Sequence, residues 1–299
     1  MDLVIVGSVA LDAVKTPYGQ VDRVLGGSAV YASMAARYFC RPGIVGVVGE
    51  DFPAEYLKLI KDQEIDTSGL QTRKGKTFFW KGNYNNMNCA ETLDTQLNVF
   101  ADFDPIIPQE YRKTKYIFLG NIDPVLQLEV LQQVENPDLT AMDTMNFWIN
   151  GKRSELLEVI KKIDVLFINE DELRMLTVEK NILKAAKEAL EYGPQLIVCK
   201  RGEYGAFVFG EDFLFYCPAY PIFDVIDPTG AGDSFAGGFL GYLAQAGKID
   251  KESFKKAMQL GTITASFCVE DFSLNKLSKI ELKKIEARAG SLQKYVSFK

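Results

Sequence analysis

Asp227-Pro-Thr-Gly-Ala-Gly-Asp233, followed by Ser-Phe-Ala-Gly-Gly-Phe-Leu240, sets two small glycine turns and a carboxylate at the start of a predicted helix. Gly230 and Gly232 free the backbone to turn successive amide N–H groups toward one point, where the positive end of the helix dipole adds to their attraction for an anion. Asp233 then stands beside the charge that a bound phosphate would bring. The helix is read over Ser234–Ala246, with Phe235, Phe239, Tyr242 and Leu243 forming its apolar stripe. Common phosphate loops do not fit. No Gly-Lys-Ser/Thr follows Gly230-Ala-Gly232, and Phe235 stands where a dinucleotide fingerprint needs its third glycine.

Working outward, short apolar runs recur at Leu3–Val6, Ile44–Val48, Tyr116–Leu119, Leu139–Met142, Val165–Ile168 and Leu196–Cys199. Helical spacing falls between them at Ser28–Tyr38, Pro53–Gln63, Pro124–Val134, Lys152–Lys161, Asn181–Tyr192 and, later, Lys251–Val269. This alternation predicts an α/β fold with a mostly parallel central sheet layered by helices. Two stretches break the rhythm and are read as strands of a small accessory sheet. The expected division is thus a main domain of residues 1–12, 26–74 and 101–299 with an inserted β lid of 13–25 and 75–100. Phe78 and Trp80 in the second insert either line a site or pack the underside of that sheet.

The chain of 299 residues carries a net charge of −6, which argues against a nucleic-acid partner. Its N-terminal apolar run is too short for a membrane span or secretion signal, and no membrane partner is expected. The five cysteines include no C-x-x-C pair, which fits a reducing cytoplasm better than a disulfide framework. There is no histidine, so Ser-His-Asp and Cys-His catalysis and histidine-bound zinc are excluded. Acid–base work falls to the other titratable groups.

Four further constellations sit at predicted strand ends. Asn169-Glu-Asp-Glu172 opens a helix, where capping alone would favour acidic residues. Lys200-Arg-Gly202-Glu-Tyr-Gly205 follows the strand Leu196–Cys199 and could be a simple hairpin. Gly7-Ser-Val-Ala-Leu-Asp12 and Gly26-Gly27-Ser28-Ala-Val-Tyr31 bracket the first insert, as a loop carboxylate and a helix-start turn would. Asp143-Thr-Met-Asn146-Phe-Trp148 is either a source of polar contacts or a strand-to-loop transition around a packed Trp.

In chain order these segments resemble the signatures of the ribokinase-type (PfkB) carbohydrate kinases: first-strand aspartate, di-glycine, inserted lid, N-x-x-E, K-x-G-x-x-G and D-P-T-G-A-G-D. The resemblance implies a ribokinase-like three-layer α/β/α domain that moves a phosphoryl group from ATP–Mg2+ to a hydroxyl. It makes Asp233 the base, and the amides of Gly230, Ala231, Gly232 and Asp233 the anion hole. Asn169 and Glu172 would organise Mg2+ through its water shell. Asn169, Lys200, Gly202, Gly205, Thr229 and Thr262 would face the nucleotide, and Asp227 could hold K+. Asp12, Gly26, Gly27, Tyr31, Phe78, Trp80 and Asn146 would face the acceptor. An aspartate near its ordinary pKa of about 4 would be ionised at neutral pH and ready to accept the proton. Ribokinases carry asparagines where this chain has Ala10 and Tyr31, which disfavours ribose itself. A sugar or sugar derivative is the first expectation, a nucleoside the alternative, and a non-catalytic ligand sensor the reading from another class. A homodimer could form through the lid.

Overall fold

The computed structural model describes residues 1–297. Nine strands make the main sheet: β1 (Leu3–Val6), β4 (Pro42–Gly49), β5 (Asp66–Arg73), β8 (Tyr116–Leu119), β9 (Leu139–Asp143), β10 (Val165–Asn169), β11 (Leu196–Lys200), β12 (Ala206–Gly210) and β13 (Phe213–Cys217). Four make a smaller sheet: β2 (Ala10–Thr16), β3 (Gly19–Gly26), β6 (Phe78–Asn86) and β7 (Cys89–Gln96). The helices are α1 (Ser28–Ala36), α2 (Ala54–Asp62), α3 (Pro124–Leu131), α4 (Asn146–Gly151), α5 (Arg153–Ile160), α6 (Glu170–Thr177), α7 (Ile182–Glu191), α8 (Ala231–Ala246), α9 (Lys251–Cys268) and α10 (Leu282–Tyr295).

Across the main sheet the order is β13-β12-β11-β10-β9-β8-β1-β4-β5, parallel except for the antiparallel β12 and β13. The continuous apolar runs follow from burial on both faces. Leu3 and Ile5 enter one core layer with Phe118, Phe167, Phe239 and Phe254, while Val4 and Val6 enter the other with Ile117, Leu119, Leu166 and Ile168. The expected α/β class with a mostly parallel sheet holds.

The chain leaves β1 toward β4 and β5 on one side, then returns through β8 to build the other side. That reversal makes a topological switch point, where the carboxyl ends of diverging strands open a crevice. The smaller sheet joins the chain just after β1 and again between β5 and β8, so it stands at this same edge. Its strands begin at Ala10 and end at Gly26 in the first insert, beyond the expected limits of 13 and 25, because Ala10–Asp12 pair with Phe78–Trp80 rather than extending β1. Reciprocal bonds fasten the switch point: the Ser8 N–H donates to Ser28 Oγ (3.1 Å) and the Ser28 N–H to Ser8 Oγ (3.0 Å).

Helix α8 is held between α1 and α9 at glycine distance; a Cβ at Gly237 would meet Ala32 O at 2.0 Å. Its Phe239 is fully buried and meets Phe167 edge-on at 5.4 Å between ring centroids. Phe239→Ala leaves a cavity at the base of this helix and should cost about 3–5 kcal/mol. Chemical denaturation of the two proteins measures the difference; a loss below about 1 kcal/mol would mean that this packing does not hold α8.

Candidate active site

Gly230 has a left-handed φ of 73° and caps α8. A Cβ there would lie 2.2 Å from Tyr31 Cγ, so the Tyr31 ring, 2% exposed, lies directly against the glycine. The helix begins at Ala231, not at the expected Ser234, because the Gly-Ala-Gly-Asp residues already form its first turn. Of the amides expected to meet an anion, that of Ala231 donates to Pro228 O (3.2 Å). Those of Gly232 and Asp233 lie in the first turn, where a helix leaves its N–H groups without internal acceptors.

Asp233 projects from this turn and is partly exposed. Burial and the nearby Asp143 charge push its carboxyl up to about 7, although Lys200 pulls the other way. The expectation of an ordinary aspartate pKa is therefore corrected: low-dielectric surroundings and a second carboxylate both disfavour the anion.

Lys200, at the end of β11, is the centre of this charge. Its ammonium pairs with Asp143 at 2.5 Å, and its Nζ would sit 3.2 Å from a Cβ at Gly232. Asp143, Glu172 and Asp233 all raise the Lys200 pKa against the lowering effect of burial. Glu172 is itself pushed up to about 7, chiefly by burial. Asn169 and Glu172 form a reciprocal capping box on α6: Asn169 Oδ1 accepts from the Glu172 N–H (2.8 Å) and Glu172 Oε2 from the Asn169 N–H (2.9 Å). The capping explanation for N-x-x-E is thus realised. The Lys200–Gly205 segment also turns as a hairpin, since the Arg201 N–H donates to Gly205 O (2.8 Å) and β12 runs back antiparallel.

Asp12, on β2, is 5% exposed. Its carboxylate fills the space over Gly26, where a Cβ would fall 1.8 Å from Asp12 Oδ2. Gly27 follows as the N-cap of α1. Burial, then the charges of Asp227 and Asp233, push Asp12 up to about 8. Asp227 is buried in the loop before α8 and accepts from the Thr229 N–H (2.9 Å) and the Ser273 N–H (3.3 Å). From β6, Tyr84 reaches the same place, and the Thr229 hydroxyl donates to its phenol oxygen (3.3 Å). Burial, Asp227 and Asp12 raise the Tyr84 pKa.

The chain as a whole matches one known family: the family model "pfkB family carbohydrate kinase" covers residues 1–280. The chain belongs to the pfkB kinase family. A cytidine kinase of Thermococcus kodakarensis is 33% identical over 246 residues, covering 80% of this chain and 87% of that one. A nucleoside kinase of Methanocaldococcus jannaschii is 30% identical over 240 residues, with 76% and 72% covered. Among solved structures, the nucleoside kinase of Burkholderia thailandensis in complex with inosine superposes with a TM-score of 0.80 at 18% identity, over 98% of this chain and 99% of that one. The expected family and the ribokinase-like fold are therefore established.

Within this pfkB site the other expected residues are dispersed. Phe78 stacks on Phe100 at 5.2 Å, Trp80 lies over Gly82 and donates to Thr92 Oγ1 (3.2 Å), and among the described residues Tyr31 stacks with neither. Asn146 is exposed at the start of α4, whose Trp148 is held by Asn121 Oδ1 (2.9 Å). Thr262 is buried in α9 and donates to Cys217 Sγ (3.4 Å). Asp143 as the partner of Lys200, and Tyr84 as the partner of Thr229, were missed. Asp143 had a signal in its place at a strand end beside Asn146; Tyr84 had only the polar run around it.

The Asp12 shift carries a sign. The folded state keeps a proton that the unfolded chain loses near its ordinary pKa, so its stabilising effect is complete below about 4 and disappears as pH rises through about 8. Asp12→Asn removes this dependence. The melting temperature of the variant relative to the parent should therefore improve between pH 5 and pH 9, and a difference independent of pH would refute the buried, protonated Asp12.

Proposed function

We propose that this kinase is an ATP- and Mg2+-dependent nucleoside kinase, which transfers a phosphoryl group to a hydroxyl of the nucleoside's sugar. The observation that carries the reading is the convergence at the first turn of α8, where Asp233 lies one residue from Gly232 and the Lys200 ammonium, paired with Asp143, lies against that glycine. On this reading one carboxylate serves both the helix start and the acceptor hydroxyl. The nucleoside moves ahead of the free sugar because the cytidine kinase relative is 33% identical across most of its length.

Asp12 accepts hydrogen bonds from sugar hydroxyls and aligns one of them with the helix start. Asp233 takes the hydroxyl proton as the oxygen attacks the γ-phosphorus; the new O–P bond forms, the bond to the β-phosphate oxygen breaks, and ADP leaves. The Gly232 and Asp233 amides and Lys200 meet the charge on the transferred group. Among the described residues no cluster of three or more Cys, Asp or Glu could hold a bare metal ion, while Glu172 and Asn169 suit a hydrated one. Bound with the nucleotide, Mg2+ supplies further neutralisation of phosphate oxygens. The small sheet closes the crevice as a lid and keeps water from the γ-phosphate.

A panel of nucleosides, free sugars and sugar phosphates, assayed for ADP release, should show turnover with nucleosides. Turnover only with sugars would reject the nucleoside, and ligands that raise the melting temperature without any turnover would favour a sensor. Asp233→Asn should lower kcat by roughly 10²–10⁴-fold with nucleotide affinity retained; near-parental turnover would remove Asp233 as base. Since the ionised carboxylate is the active form, kcat/KM should rise with pH through about 7. Lys200→Met withdraws the charge that favours the anion and should move that inflection upward; an unmoved or lowered inflection would show that another group is being titrated.

A further inference from the structure

The polar run Asn83–Asn88 has no part in the mechanism above, yet its end lies on the nucleotide loop. Met87 and Asn88 form the turn between β6 and β7, fixed by the Asn88 N–H donating to Asn86 Oδ1 (2.9 Å). From this turn the Asn88 side-chain amide donates to Glu203 Oε1 (3.1 Å). Asn88 Oδ1 lies over Gly202, 2.8 Å from where a Cβ would stand. The contact joins residues 115 positions apart and belongs to the K-x-G-x-x-G loop rather than to the acceptor side. Four residues earlier the same strand places Tyr84 against Thr229, beside the anion-binding turn.

One hairpin therefore touches the main domain at two points, one beside the acceptor carboxylate and one on the nucleotide loop. We propose that Asn88 and Tyr84 are positioning residues that make this hairpin a strap over both substrates, so that lid closure on the acceptor also fixes the Gly202–Tyr204 turn for the nucleotide. This rests on the kinase reading above. The physical basis is shared ordering: the first ligand to close the strap bears the cost of immobilising it, and the second binds to a loop already fixed. Gly202 is exposed and has a φ of 53°, a turn that a side-chain clamp from above would hold in place. Tyr84 is buried, so its end of the strap is the fixed one; Asn88 and Glu203 are exposed, so their end is the one that opens.

The test is calorimetric titration of ADP into the intact protein, with and without saturating cytidine, for the parent and for Asn88→Ala, Glu203→Ala and Tyr84→Phe. In the parent, cytidine should tighten ADP binding by about fivefold or more, the usual lower range of coupling between sites. In Asn88→Ala and Glu203→Ala this factor should fall toward one, with cytidine affinity and melting temperature unchanged. Tyr84→Phe should raise KM for the acceptor more than KM for ATP. Coupling retained in both Asn88→Ala and Glu203→Ala would overturn the strap, and so would tighter ADP binding in Asn88→Ala, which would show that the turn obstructs the loop. If cytidine does not bind, the nucleoside reading is what fails. The ADP titration alone then decides the strap: weaker binding to Asn88→Ala supports it, and equal binding rejects it.

Discussion

Lys200 is a cation set among carboxylates that water cannot screen well. It pairs with Asp143, stands near Asp233 and Glu172, and lies against the first turn of α8. Removing such a lysine would leave buried negative charge unpaired, which is costly in a low-dielectric site. Burial is the first cause of the raised pKa values of Asp233 and Glu172; the Asp143 charge adds to it and Lys200 opposes it. An incoming nucleotide adds still more negative charge. The arrangement thus calls for a divalent cation arriving with the phosphates, and until then it keeps part of its acid load protonated.

The sheet order explains why these groups meet. Asp143, Asn169 and Lys200 end the neighbouring strands β9, β10 and β11, so parallel pairing alone brings them to one edge. Asp12 and α8 are brought to the same edge by the reversal of direction at β1. On the proposed kinase reading the work would be divided along the sheet, with nucleotide groups on the later strands and acceptor groups at the switch point.

What could be read from the sequence follows the same physics. Strands β1 and β8 are buried on both faces and announced themselves as unbroken apolar runs with correct limits. Strand β5, Asp-Thr-Ser-Gly-Leu-Gln-Thr-Arg, was not legible because it lies at the sheet edge with only one buried position. Helix α10 was missed as well; Ile285, Ala289 and Leu292 are its buried positions within 14 residues, too sparse a stripe to stand out. Local motifs located Asp233, Lys200, Asn169 and Glu172, since each sits in a compact turn with its own signature. The pairs that tune them were invisible, because Asp143 and Lys200 are 57 residues apart and Tyr84 and Thr229 are 145 apart.

Tyr31 shows how a departure from a family pattern can change meaning once its surroundings are known. From sequence, an aromatic in place of the family's acceptor-binding asparagine points to a ring that reads the acceptor. Its ring lies against Gly230, where a Cβ would fall 2.2 Å from Tyr31 Cγ, so the contact requires a residue with no side chain there. Tyr31 thus floors the turn that opens α8. On the proposed nucleoside-kinase reading, recognition of the acceptor would rest on Asp12 for the hydroxyls and, for everything beyond the sugar, on the face of the lid that carries Tyr84. A pocket built this way is strict about a sugar's hydroxyls at one end and permissive at the other, which suits an acceptor bearing a base more than a small free sugar.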